Sequence, residues 1–269
     1  MNRATYVSIL LVCLGLLVSC ASPVTPERSL AAETVLDATG FTGTMLIYSL
    51  NDDRYIAAHP QLIDTPVLPA STFKIFSSLV ALQNGVVSAA DEIIPWDGIV
   101  RGRQETNQDL TLRDAFQLSA VPHFQSLVLD VGEQSMQQMI DAAAYGNRNI
   151  GGNPDTFWLE GDLRITPRQQ IELMTRLYRE QLPFDRQAMQ TVKDIMLLEE
   201  TADYRLRAKT GLAVSPNQEN TGWWVGWVER DQDVYFFATL LLATAPDASF
   251  IPARISVTRH VLRNLGYLP

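Results

Sequence analysis

"PASTFKIFSSLVAL", Pro69–Leu82, is mostly plain helix: small and apolar residues in an unbroken run. Yet Lys74 sits inside that run, three residues after Ser71. The chain has 21 basic residues, and only Lys74, Lys193 and Lys209 are lysine. Lysine can lose its proton on burial, whereas arginine effectively cannot. A lysine kept next to a serine therefore points to proton chemistry. On a helix, residues i and i+3 share a face, and their side chains can touch. A serine in the first turn also has a backbone N–H with no intrahelical partner, a ready oxyanion donor. The bland alternative is a serine that only caps and a lysine that snorkels. S-x-x-K by itself does not decide between the two.

Outward from this stretch, the 269 residues are enough to bury one large domain or two intimate lobes. A composition with 46% hydrophobic and 19% charged residues is that of a globular chain, not a disordered one. A net charge of −9 argues against nucleic acid as partner, but leaves room for an anionic small molecule in a locally basic pocket. The first residues, "MNRATYVSILLVCLGLLVSC", read as an export signal: a short region with Arg3, an apolar region, then small residues. Leu17-Val18-Ser19-Cys20 resembles a bacterial lipobox, which would make Cys20 the lipidated N-terminus. The alternative is an ordinary cleavage nearby, at Ala21. With Cys13 in the removed region, no disulfide is available, and the core alone must hold the domain. No other run reaches the roughly 18 apolar residues of a membrane helix.

Residues 21–38 read as a polar tether. Residues 42–50 and 54–59 are strand-like and joined by Asn51-Asp52-Asp53, as in a hairpin. A helix over 72–84 can stop at Gly85. From 86 to 165 short helices and loops alternate. Thr166-Pro167 opens a helix to about 181, and another runs from about 185 to 199. "RLRAKTG" (205–211), "GWWVGWVE" (222–229) and "VYFFATLLLA" (234–243) are strands, the last two joined by the tight turn Arg230–Asp233. Residues 251–266 are helical. The economical fold is α/β of the α+β type: a sheet from 20–66 and 195–269 with a helical lobe over 67–194 inserted. Residues 1–19 are expected to be the signal.

Further chemical candidates follow in order: Ser119-Ala120-Val121, Tyr145-Gly146-Asn147, Trp158-Leu159-Glu160-Gly161, and Lys209-Thr210-Gly211 at a strand end. Singly they read as a helix cap, a turn, core and an exposed strand end. Together with Ser71-Thr72-Phe73-Lys74 and the "GWWVGWVE" strand, they resemble the class D, oxacillinase-type serine β-lactamases over about residues 66–260. S-x-x-K and K-T-G belong to the signature of the wider set of β-lactamases and penicillin-binding proteins. The cysteine pair that many relatives carry near the first hairpin is missing here.

The resemblance implies a β-lactamase or transpeptidase-like fold, an antiparallel sheet flanked by helices with the two lobes forming one catalytic domain, and hydrolysis of β-lactam antibiotics through a serine acyl-enzyme. It implies that Ser71 attacks the lactam carbonyl, and that Lys74, carboxylated by carbon dioxide, is the base for acylation and deacylation. Trp158 would hold the carbamate by its indole N–H. Phe73 and Val121 would keep the lysine pocket apolar. Ser119 would relay a proton to the lactam nitrogen, and Lys209 would supply charge beside it. Thr210 and Arg254 would bind the substrate carboxylate, with Arg259 the alternative on the same helix. The N–H groups of Ser71 and Leu212, beside Gly211, would form the oxyanion hole. No cofactor besides carbon dioxide or bicarbonate is implied.

His59, His123 and His260 have no metal-ligand spacing, and His123 is expected at the cleft edge or on the surface. Two other readings remain: a sensor or penicillin-binding module that is acylated but slow to release, and an idle scaffold. Trp158 and the short exported format favour the hydrolase. The expected location is the periplasm of a Gram-negative cell, on the outer membrane through Cys20. Monomer and dimer stay open, as does the substrate spectrum, which loops 97–107 and 212–221 would set.

Overall fold

The computed structural model describes residues 24–214 and 219–269. The two ends of the chain meet in one seven-stranded sheet. Its strands are β1 (Glu27–Arg28), β2 (Thr42–Ser49), β3 (Arg54–Ala58), then β6 (Leu197–Glu200), β7 (Tyr204–Ala213), β8 (Asn220–Arg230) and β9 (Asp233–Ala243). Between them β4 (Ile93–Ile94) and β5 (Leu110–Thr111) pair as a small separate ladder. The order across the sheet is β1-β3-β2-β9-β8-β7-β6. Every pairing in it is antiparallel except β1 with β3. β8 turns into β9 through Asp231 and Gln232, both with positive φ (53° and 66°), the backbone that a two-residue hairpin turn needs.

The helices are α1 (Leu30–Asp37), α2 (Phe73–Gln83), α3 (Leu112–Gln117), α4 (Val121–Val131), α5 (Glu133–Ala143), α6 (Pro167–Tyr178), α7 (Arg186–Ile195) and α8 (Phe250–Asn264). They cover both faces of the sheet, which explains why β8 reads as an almost continuous apolar run. Trp223, Val225 and Trp227 point into the core shared with α2 and the other inserted helices. Trp224 and Val228 point the other way, toward α1 and α8. α6 starts at a capping box: Thr166 Oγ1 accepts from the Gln169 N–H at 3.1 Å, and Gln169 Oε1 accepts from the Thr166 N–H at 3.0 Å. Pro167 takes the first helical position, where its missing N–H costs nothing. α6 packs on β2, β8 and β9, so the inserted lobe and the sheet share one wall.

Two expectations are corrected. Residues 21–38 are not simply a tether, because β1 and α1 lie within them. Ser29 caps α1 by accepting from the Ala32 N–H at 3.2 Å. Ala32 and Leu36, four residues apart, then bury one helical face, while Glu33 pairs with Arg28 at 2.8 Å. The periodicity covers only two turns, too short to stand out in a polar segment. The helix expected over 185–199 stops at Ile195, and Leu197–Glu200 becomes the edge strand β6. Leucine and glutamate favour helix, but the open edge of β7 offers a hydrogen-bonding partner that overrides local propensity.

Among the described residues, no helix is long and apolar enough to cross a membrane. Residues 1–23, with the export signal and Cys20, and residues 215–218 of the loop 212–221, lie outside the described residues.

Candidate active site

Residues Ala70–Thr72 form one turn of 3-10 helix that leads into α2. Ala70 has φ +49°, a left-handed backbone that costs a non-glycine residue ~1–3 kcal/mol. Neighbouring groups hold it there. The Ala70 N–H donates to the Trp158 carbonyl at 3.0 Å, the Thr72 N–H to Pro69 at 3.2 Å, and the Trp223 indole to Leu68 at 2.9 Å. No such bond holds the Ser71 N–H among the described residues. Gly211 lets the turn come this close to β7: a Cβ there would lie 3.0 Å from the Pro69 oxygen and 3.1 Å from Thr72 Cγ2. The last letter of K-T-G is thus a packing requirement.

Lys74 is completely buried, and its Nζ donates to Ser71 Oγ at 3.2 Å. The i, i+3 relation expected from S-x-x-K is a direct contact. The ammonium lies 5.0 Å from the centre of the Phe124 ring. Burial brings its pKa down from 10.5 to about 7, with a smaller push from the Arg103 charge. Near neutral pH a substantial fraction of the amine is therefore unprotonated, able to act as base or nucleophile. Trp158 lies over Phe73, ring centroids 5.5 Å apart and nearly parallel. Its indole N–H is buried and has no partner, an expensive omission for a donor. Gly146 in Y-G-N keeps the segment after Trp158 close: φ is +50°, and a Cβ would fall 2.1 Å from the Arg164 carbonyl oxygen. Asn147 then donates to the Asp162 carbonyl at 2.8 Å.

Ser119 lies on the connection from α3 to α4 with φ +56°, another strained position. It accepts from Lys209 Nζ at 3.1 Å, so β7 and the helical lobe meet at a serine–lysine pair. Lys209 also donates to the Thr210 carbonyl at 3.2 Å and lies 5.5 Å from the centre of the Phe116 ring. Its pKa falls well below the ordinary value through burial first, then through the charges of Lys74, Arg254 and Arg103. Val121 begins α4 and is half-buried.

The Ala208 N–H donates to the Met196 carbonyl at 3.0 Å, where β6 ends. Along a strand every second N–H points the same way, so those of Thr210 and Leu212 project from the open edge of β7. Arg254 is buried against the same strand, with Nη1 donating to the Gly211 carbonyl and Nε unpartnered. Desolvation lowers its pKa from 12.5 to about 10. Arg259 is committed elsewhere: it pairs with Glu199 and lies over Trp224 at 5.4 Å.

His123 is a correction. It is buried rather than at the cleft edge or on the surface, and its Nε2 lies 2.9 Å from the Gln108 carbonyl oxygen. It falls on the inward face of α4 beside Phe124 and anchors a loop. Phe124 and Phe116, the aromatic faces under the two lysines, escaped the sequence reading. Phe124 stands three residues after Val121, so the helical face that predicted one pocket wall could have supplied the other. Among the described residues no group of histidine, cysteine, aspartate and glutamate could hold a metal ion.

The site thus joins a strained turn carrying Ser71, a buried lysine and a second serine–lysine pair. The family model for the penicillin-binding protein transpeptidase domain matches residues 38–263. β-Lactamase OXA-10 of Pseudomonas aeruginosa is 39% identical over 75% of this chain and 76% of its own length. The solved structure of the class D β-lactamase YbXI from Nostoc is 42% identical with a TM-score of 0.83, covering 88% of this chain and 99% of that one.

The chain belongs to the class D β-lactamases.

These are serine hydrolases, and the fold of this class D chain is theirs: FUS-1 from Fusobacterium nucleatum superposes on 90% of the chain and 100% of its own with a TM-score of 0.86.

Proposed function

We propose that this enzyme hydrolyses β-lactam antibiotics through an acyl-enzyme on Ser71, with a carboxylated Lys74 as base in both half-reactions, and so confers β-lactam resistance. The observation that carries the reading is a fully buried lysine in contact with Ser71, with its pKa near 7, together with a buried Trp158 indole N–H that has no partner among the described residues and whose ring stacks on Phe73, next to Lys74 in the chain. A neutral Nζ can attack carbon dioxide and lose a proton, leaving an anionic oxygen base. Trp158 supplies the donor that such an anion needs, and Phe124, Phe73 and Val121 keep the pocket dry enough to expel the ammonium proton.

Ser71 Oγ then loses its proton to the carboxylated Lys74 side chain and bonds to the lactam carbonyl carbon. The N–H groups of Ser71 and Leu212 stabilise the oxyanion. The lactam C–N bond breaks, and the nitrogen takes its proton by way of Ser119 beside Lys209. A water, deprotonated by the same base, attacks the ester carbonyl and releases Ser71. Arg254 and Thr210 bind the substrate carboxylate, because guanidinium matches that group bidentately. Carbon-13 NMR with labelled bicarbonate tests the base: wild type is expected to show a carbamate resonance that Lys74→Ala lacks. Full activity with no resonance in saturating bicarbonate would leave the plain amine as base.

The enzyme is further proposed to face the periplasm on a lipid anchor at Cys20. The motive is Leu-Val-Ser-Cys at 17–20, followed by Ala21 rather than an aspartate that would retain it at the inner membrane. Several acyl chains on one cysteine hold firmly where a single chain does not. Cells fed a clickable fatty acid are expected to label the wild type and not Cys20→Ser. Equal labelling would remove the lipobox reading.

A further inference from the structure

Behind the nucleophile turn lies a polar contact that the catalytic roles above leave unused. Gln170 on α6 is completely buried, and its Nε2 donates to Thr72 Oγ1 at 2.8 Å. Thr72 Oγ1 in turn donates to the Pro69 carbonyl at 2.7 Å. Nothing about helix packing requires an amide here: an aliphatic residue would bury at far lower cost, since Gln170 Oε1 has no partner. The Tyr145 hydroxyl is also buried, close to Thr72. The polar atoms therefore converge on the one threonine that closes the 70–72 turn.

That turn needs holding, because Ala70 sits at φ +49° immediately before Ser71. Its other ties fasten Leu68, Ala70 and Thr72. Gln170 adds a tie to the sheet, for α6 packs on β2, β8 and β9. The same sheet carries Lys209 and receives Arg254. Substrate held on the sheet and a nucleophile held on the α2 turn must keep a fixed separation.

We propose that Gln170 is a positioning residue for acylation: acting through Thr72, it holds the strained turn so that Ser71 Oγ stays between Lys74 Nζ and the incoming carbonyl. This rests on Ser71 being the nucleophile. The test is pre-steady-state acylation by a chromogenic cephalosporin in wild type, Gln170→Met, Thr72→Val and the double variant. Rates are taken per acylated site, from the burst amplitude, so that misfolded protein does not enter. Gln170→Met is expected to slow acylation about tenfold, with affinity before acylation changed less than about twofold, the signature of lost orientation rather than lost binding. Thr72→Val is expected to do the same, and the double variant to be no slower than the slower single one, because both act through one contact. Thr72→Ser keeps the hydroxyl and is expected to acylate like wild type. Acylation of Gln170→Met within about twofold of wild type, or losses that multiply in the double variant, would overturn the proposal. A wrong nucleophile would show separately, as wild type without a mass increment on Ser71.

Discussion

Lys74→Ala is expected to lose on the order of 10³-fold or more in kcat/KM, since a positioned base alone contributes about 10²–10⁴ and in the proposed mechanism one group serves both half-reactions. Bicarbonate is expected not to restore it. The substitution removes the lysine whose Nζ lies 3.2 Å from Ser71 Oγ, the one side-chain contact to that oxygen among the described residues. Lys209 cannot substitute, because its Nζ is engaged with Ser119 and the Thr210 carbonyl. The fold is expected to survive, because among the described residues Lys74 carries no ion pair whose loss would strand a buried charge. Steady-state turnover of a chromogenic cephalosporin, beside a thermal melt, makes the check. A folded Lys74→Ala within tenfold of wild type would remove lysine from the reaction.

The second large effect is expected at Trp158. Trp158→Ala should slow deacylation by about 10²-fold while acylation falls less, so that acyl-enzyme accumulates and appears as a mass increment on Ser71. The indole N–H is a buried donor without a partner among the described residues, and in the proposed mechanism the carboxylated lysine loses its hold without it. Trp158→Phe keeps most of the stacking on Phe73 and removes only the donor, so it should show the same imbalance. Both variants should depend more steeply on bicarbonate than wild type. The pH response has a fixed sign. With the Lys74 pKa near 7, acidification through that value protonates the amine, disfavours carboxylation and lowers activity; bicarbonate should oppose the loss. Equal slowing of both steps, with no bicarbonate dependence, would make Trp158 a packing residue alone.

The parts legible in the sequence were those decided by near neighbours. Thr166-Pro167, the β8–β9 turn and the Ser71–Lys74 spacing each draw on a few adjacent residues. α1 and β6 were missed for opposite reasons. The apolar face of α1 spans two turns, and β6 is a strand only because β7 has an open edge there. The choice between Arg254 and Arg259 was likewise invisible, since both lie on α8; Glu199, sixty residues earlier, decides which one is occupied. Phe124 and Gln170 look like ordinary helix residues until α4 and α6 bring them to the lysine and the nucleophile turn.

The sheet order has a consequence for how this chain is made. β2 lies against β9 with Met45 opposite Thr239, and the helices between them use the sheet's inner face as their own core. A ribosome or a translocation channel delivers β2 long before β9 exists. Until the last strands emerge, α6 has neither β8 nor β9 to pack against. Such non-local closure is slow and leaves apolar surface open to aggregation. The central pairing of the sheet therefore closes only once almost the whole chain has been made.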